Sequence, residues 1–172
     1  MNTWISSRKK SRVTPSTGLR QASVSDLLTG RISKDSGYIA IIMRRYPRFV
    51  RRELRDEYIS EMAPDWKLFE EWLAIKRATD DHEAAFRRSH YEARFSITTS
   101  GIEHLKRLIQ LSRTVDVYLV CQCKVGQRCH RELHLLIARD WFHGRVEGPF
   151  NNYPIFQKRM AKDQVLEIKR AA

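Results

Sequence analysis

Two short runs of mostly apolar residues constrain the fold more than any other feature: Gly37-Tyr-Ile-Ala-Ile-Ile-Met43 and Val115-Asp-Val-Tyr-Leu-Val-Cys121. Runs of this length, rich in Ile and Val, suit strands buried on both faces, as in a parallel sheet covered by helices. The first follows the loop signal Lys34-Asp35-Ser36. Between the runs lie helical segments. Arg51 to Met62 is helical in composition and stops at Ala63-Pro64, and Asp65 to Arg77 carries Trp66, Phe69, Trp72 and Leu73 at helical spacing. Asp80-Asp81 starts a helix bearing Phe86, Tyr91 and Phe95, and Ser100-Gly-Ile-Glu103 reads as a capping box. After the second run, Gln122 to Arg128 is a loop, and Cys129 to Phe142 is a helix stopped by Gly144. Strand, helices, strand, helix predicts an α/β fold: a small, mostly parallel sheet with helices on its faces, three layers in one domain. Further strands are expected around Ala22–Leu27 and Arg145–Glu147, and a last helix or ordered tail over residues 155–170.

The expected organisation is a basic N-terminal arm over residues 1–20, the α/β domain over 21–150, and a C-terminal helix or tail over 151–172. The arm is rich in Ser, Thr, Lys and Arg without an acid, as organelle transit peptides are, but Pro15 and the missing hydrophobic face argue against that use. No apolar stretch is long enough for a membrane-spanning helix, so no membrane partner is expected. All three cysteines lie within nine residues, at 121, 123 and 129, whereas a secreted scaffold would spread an even number along the chain. Reduced thiols and a cytoplasmic location are therefore expected. The net charge of +12 favours anionic partners such as phosphorylated metabolites, nucleotides or nucleic acid.

The concentrated chemistry is Cys121-Gln-Cys123-x5-Cys129-His130-Arg131. Cys121 ends a strand and Cys129 begins the next helix, the crevice where open α/β sheets bind ligands. Helix N-termini favour anions and thiolates, and Arg128, His130 and Arg131 add positive potential. Parallel topology brings the end of the first strand to the same edge, delivering Arg44, Arg45, Tyr46 and Arg48. Cys129, Cys121 and His130 are thus the candidate catalytic groups. Arg44, Arg45, Arg48, Tyr46, Arg128 and Arg131 are the candidate ligand-binding residues, since Arg forms two-pronged bonds to phosphate.

These residues also carry a resemblance. Tyr118-Leu-Val-Cys-x7-Cys-His-Arg-x-Leu resembles the signature of the domain-of-unknown-function family DUF 488. Met43-Arg44-Arg45-Tyr46-Pro47-Arg48 is similar to that family's Asp-Arg-x-Trp-Pro-Arg, Ala63-Pro64-x3-Leu68 to its Ala-Pro-Ser-x2-Leu, and Phe86-x4-Tyr91 to its Phe-x-x-x-Tyr helix. The four matches occur in the family's order across residues 37–143. Met43 stands where one branch carries Asp, and Cys123 where the Cys-His-Arg branch often has Glu. Both carboxylates are exchanged and a thiol is added, which removes the basis for carboxylate catalysis. The resemblance implies an α/β fold and a conserved pocket, and no established activity.

Plainer roles compete with these. Free Cys is among the most buried residue types, so Cys121 also suits a simple strand end. Cys121, Cys123, Cys129 and His130 are zinc-ligand types, but Cys-x-Cys at a strand end points its side chains apart unless the chain turns at once, so no metal and no cofactor is expected. His134 shares a helix face with His130, and a satisfied His is its expected role. Trp66, Phe69 and Trp72 read as core. The six arginines of Arg44–Arg55, interleaved with Tyr46 and Phe49, support an alternative as a non-catalytic nucleic-acid-binding domain. Phosphate-loop, dinucleotide, nucleophile-elbow and His-Glu-x-x-His motifs are absent. So is the Cys-x5-Arg loop of cysteine phosphatases: Gln127 lies six residues beyond Cys121, and Cys129 six beyond Cys123.

Overall fold

The computed structural model describes residues 16–167. Four strands form one all-parallel sheet: β1 (Leu19–Ser23), β2 (Tyr38–Ile41), β3 (Glu57–Tyr58) and β5 (Val117–Cys121), in the order β1-β5-β2-β3. A two-stranded parallel pair joins β4 (Ile97–Thr98) to β6 (Leu166–Glu167). Among the described residues, seven α-helices complete the α/β domain: α1 (Val24–Leu28), α2 (Trp66–Thr79), α3 (His82–Arg88), α4 (Tyr91–Arg94), α5 (Thr99–Leu111), α6 (His130–Phe142) and α7 (Pro154–Met160).

The alternation of a strand sends its side chains into two cores. Ala40, Ile42, Val117 and Leu119 join Leu105, Leu108, Leu133, Leu136 and Phe95 in the larger one. Ile39, Ile41 and Val120 turn to the other face, covered by Val24, Leu27, Ile32 and Val50. The central strands are apolar at consecutive positions because both faces are buried. Among the described residues no helix is long and apolar enough to cross a membrane.

Several local expectations are corrected. The segment 51–62 is not one helix: two 3₁₀ turns, Arg52–Leu54 and Ser60–Met62, flank β3. Pairing with β2 overrides helical composition there, because Asp56 accepts from Ile39 N through its side chain (2.8 Å) and Ile59 N donates to Ile41 O (2.8 Å). The strand expected at 22–27 is β1, three residues earlier. Ser23 and Asp26 form a capping box that turns the chain into α1. The α5 cap is Thr98, whose hydroxyl accepts from Gly101 N at 3.0 Å, rather than Ser100. The helix of Phe86, Tyr91 and Phe95 is two helices, broken where His90 takes a left-handed φ of 53°. Only Val146 of the 145–147 segment makes a bridge, to Leu19. Of the expected 155–170 helix, residues up to Met160 are helical, and residues 168–170 lie outside the described ones, as do residues 1–15 of the expected arm. Leu19 and Arg20, placed in that arm, belong to β1.

Candidate functional site

The site grows from the α6 N-terminus. Cys129 is its N-cap residue in extended conformation, and Cys121 closes β5 immediately beneath it. Arg131 and Glu132, both 0% exposed, hold the two loops around this point. Arg131 donates from Nε to Gln21 Oε1 (3.0 Å), from Nη1 to Ala22 O (2.6 Å) and Cys123 O (3.1 Å), and from Nη2 to Lys124 O (3.3 Å). The last two contacts fold the 122–128 loop back on the helix. Glu132 accepts from Gln21 Nε2 (3.2 Å), Phe150 N (2.8 Å), Asn151 Nδ2 (2.8 Å) and Tyr153 Oη (2.5 Å), tying down the 147–153 segment.

The loop fold overturns the expected divergence of the Cys-x-Cys side chains. Because the chain bends at Gln122, Cys123 Sγ lies 3.7 Å from Cys121 Sγ. Cys129 Sγ lies 3.4 Å from Cys121 Sγ, and all three sulfurs fall within 4.8 Å of one another. All three are free thiols. Burial by itself raises the Cys129 thiol. Hydrogen bonds from Cys121 and Cys123, with the charge and backbone N–H of Arg131, bring it well below its ordinary value. Its neighbours give up their protons less readily, Cys123 chiefly because it donates to the other two sulfurs.

His130 contributes its lone pair. Nε2 lies 2.6 Å from Ile42 O, which can only accept, so Nε2 carries the proton. Nδ1 then faces Cys129 Sγ at 3.5 Å as an acceptor. The same logic applies to His134, whose Nε2 donates to Met62 O while buried Nδ1 has no partner. Burial, aided by His130, lowers its pKa from 6.5 to about 3. In the unfolded chain His134 protonates near pH 6.5, whereas in the fold it stays neutral to about 3. Its share of stability is complete above 6.5 and falls by about 1.4 kcal/mol per pH unit below that. Urea unfolding between pH 6.5 and 4.5 should show a steeper loss for the wild type than for His134→Gln. Identical slopes would refute this.

Above the sulfurs lies a cavity of about 80 Å³, room for several waters. Cys121, Cys123, Cys129 and His130 line one end, Arg44, Arg45 and Arg128 the polar side, and Phe69, Trp72, Phe86 and Tyr91 the apolar wall. The aromatic wall was hidden in the sequence because a helical stripe reads as core. In fact Leu68 is the one buried residue of α2, and Trp66 is 49% exposed. Met43 and Cys123, the two departures from the family pattern, both face the cavity.

Six of the nine expected site residues thus meet: Cys121, Cys129, His130, Arg44, Arg45 and Arg128. Arg131, Arg48 and Tyr46 do not line the cavity. Arg131 is committed to carbonyl oxygens, Arg48 is exposed, and Tyr46 donates to Val50 O (3.0 Å) beneath the Arg55 guanidinium. Among the rim arginines, Arg44 donates from Nε to Pro64 O (2.7 Å) and from Nη2 to Ala63 O (3.0 Å). Arg128 bonds Glu83 (3.1 Å) and Asn152 O (2.5 Å). Arg45 is the least committed: it lies over the Trp66 and Phe69 rings, with Glu70 3.9 Å away.

Residues 24–143, more than half of the chain, match a family model described as the active DUF488-N3 subclade. No curated protein and no solved structure matches the chain.

Proposed function

The chain belongs to the DUF488 family, and on that premise we propose that it binds, and acts on, a small anionic ligand with a planar body, nucleotide-like in chemistry, whose reactive end enters the cavity above the three thiols. The observation that carries this reading is the division of the cavity into three parts: an aromatic wall, a guanidinium rim and a sulfur floor. Aromatic rings take the flat face of a base, and base stacking contributes about 1–3 kcal/mol. Guanidiniums take the phosphate, and each charged hydrogen bond contributes roughly 1.5–3 kcal/mol. The sulfur floor supplies the reactive end.

A thermal-shift screen of nucleoside monophosphates, nucleosides, sugar phosphates and inorganic phosphate tests it. At a ligand concentration a hundred times Kd, about 2.7 kcal/mol of stabilisation is expected, a rise of roughly 5–10 °C for a domain of this size. Nucleotides should exceed both the nucleoside, which lacks the anion, and the sugar phosphate, which lacks the ring. Equal shifts from all phosphates would remove the aromatic wall from the reading.

Outside the cavity, Phe49 is 62% exposed among the exposed Arg48, Arg51 and Arg52. That stripe favours a second reading, in which the chain binds single-stranded nucleic acid by stacking and phosphate contacts. Such binding weakens by orders of magnitude between about 50 and 200 mM salt when several phosphates are engaged.

A further inference from the structure

We propose that Cys121, Cys123 and Cys129 bind one zinc ion, whose fourth coordination position opens on the cavity. Zinc thiolate bonds of about 2.3 Å at tetrahedral angles place the sulfurs about 3.8 Å apart. Cys121 Sγ lies 3.7 Å from Cys123 Sγ and 3.4 Å from Cys129 Sγ, with the third separation inside 4.8 Å. Three thiols from a strand end, a loop and a helix cap thus form one triangular face of a zinc tetrahedron. A disulfide would use two of them and strand the third, whereas a metal uses all three.

The surroundings fit in charge and in softness. No carboxylate belongs to the group whose ligand atoms lie within 4.8 Å of one another. An all-sulfur set selects zinc and other thiophilic ions over magnesium or calcium. Binding displaces three protons: Zn²⁺ and three thiols give a tris-thiolate complex of charge −1 and three H⁺. The single negative charge that results sits beside Arg131, a buried guanidinium whose hydrogen bonds run only to carbonyl oxygens. It also sits at the positive end of the α6 dipole. Arg131 in turn grips Cys123 O, so the charge-balancing residue also fixes the loop that carries one ligand.

His130 stays outside the coordination shell. Its Nδ1 reaches Cys129 Sγ at 3.5 Å, but the three-sulfur group does not include it. With Nε2 donating to Ile42 O, its Nδ1 carries no proton and makes no hydrogen bond to a metal-bound thiolate. Three protein ligands and one vacant direction is the pattern of reactive zinc sites, whereas structural sites close all four positions. The vacant direction faces the cavity, because all three cysteines line it. An oxygen or nitrogen of the bound ligand, or a water, completes the tetrahedron. Filling of that position by a nucleotide rests on the reading under Proposed function, and the metal itself rests on the sulfurs alone.

Elemental analysis of reduced full-length protein, purified without chelator, should give about one zinc per chain. After chelation under reducing conditions, titration with Co²⁺ should produce sulfur-to-cobalt charge transfer and the intense visible bands of tetrahedral cobalt, saturating at one equivalent. Cys123→Ser and Cys129→Ser should each abolish both. If either variant fails to fold, alkylation of the wild type decides: zinc should protect the three thiols from iodoacetamide, and chelation should expose them. Wild-type protein that takes up neither zinc nor cobalt overturns the proposal, as does a folded Cys123→Ser that binds metal as the wild type does. The cobalt titration uses no organic ligand, so failure of the nucleotide reading leaves its result untouched. A nucleoside monophosphate should then shift the visible bands, and bands indifferent to nucleotides that do bind would close the fourth position to them.

Discussion

Arg131→Met should lower the stability of the protein by about 3–5 kcal/mol, the usual consequence of removing one partner from a buried charged network. For a domain of this size that is a fall of roughly 10 °C in Tm. Methionine fills much of the same volume, so the loss is not a cavity effect. It comes from Gln21 Oε1 and the carbonyls of Ala22 and Cys123, which lose the guanidinium's N–H groups, and from Lys124 O, which keeps only Gln127 N. Arg131→Lys should recover only a small part, because an ammonium on a flexible stem cannot span strand β1 and the 122–128 loop together. Thermal and urea unfolding check this, and a loss below about 1 kcal/mol would mean that the guanidinium is not what fixes the loop. Zinc content, measured on the same variants, should fall with the loop.

Glu132→Gln should be nearly as severe, with about 3 kcal/mol lost. The carboxylate accepts four hydrogen bonds, two on each oxygen, from Gln21, Phe150, Asn151 and Tyr153. An amide has one acceptor oxygen, and its NH₂ meets either two N–H donors, Gln21 Nε2 and Phe150 N, or Asn151 Nδ2 beside the Tyr153 hydroxyl, which must then turn to accept. Glu132 neighbours Arg131, and Gln21 bonds to both side chains, so the two losses should not add. A double-mutant cycle should give a total smaller than the sum by 0.5 kcal/mol or more. Strict additivity would show that the two loops are held independently.

The parts of this fold that could be read from residues are those where one local signal had no competitor. Ile39–Ile41 and Val117–Val120 are apolar on both faces, and nothing but a buried strand accommodates them. α6 ends at Phe142, where the expectation put it, but the left-handed residue that ends it is His143 (φ 52°) rather than Gly144, whose N–H returns to Ala138 O at 2.8 Å. Where a long-range partner decided the outcome, residues alone misled. Arg51–Met62 has helical composition, and only the exposed edge of β2 makes Glu57–Tyr58 a strand. The site follows the same division. Arg44 and Cys129 line one cavity, since both follow strand ends at one edge, while Arg131, expected beside them, does not. The direction of each side chain was hidden. Arg131 turns inward to carbonyls, Phe69 turns toward a cavity, and Trp72 both lines that cavity and packs against the larger core. The convergence of Cys121 and Cys123 depends on a bend held by Arg131, eight residues beyond Cys123. No spacing rule for cysteines contains that bend.

Calorimetric titration of a nucleoside monophosphate into wild type, Arg45→Ala and Trp72→Ala tests the cavity most directly. Arg45 is exposed, so its variant should stay folded, whereas Trp72 also packs against the larger core and its variant is first checked for folding by thermal unfolding. One site per chain is predicted, weakened about tenfold by loss of either the rim charge or the ring. The affinity should change little between about 50 and 200 mM salt, because a single small anion releases few counterions. Binding that ignores both substitutions, or no binding by a folded and fully reduced wild type, would contradict a nucleotide-like ligand in this cavity.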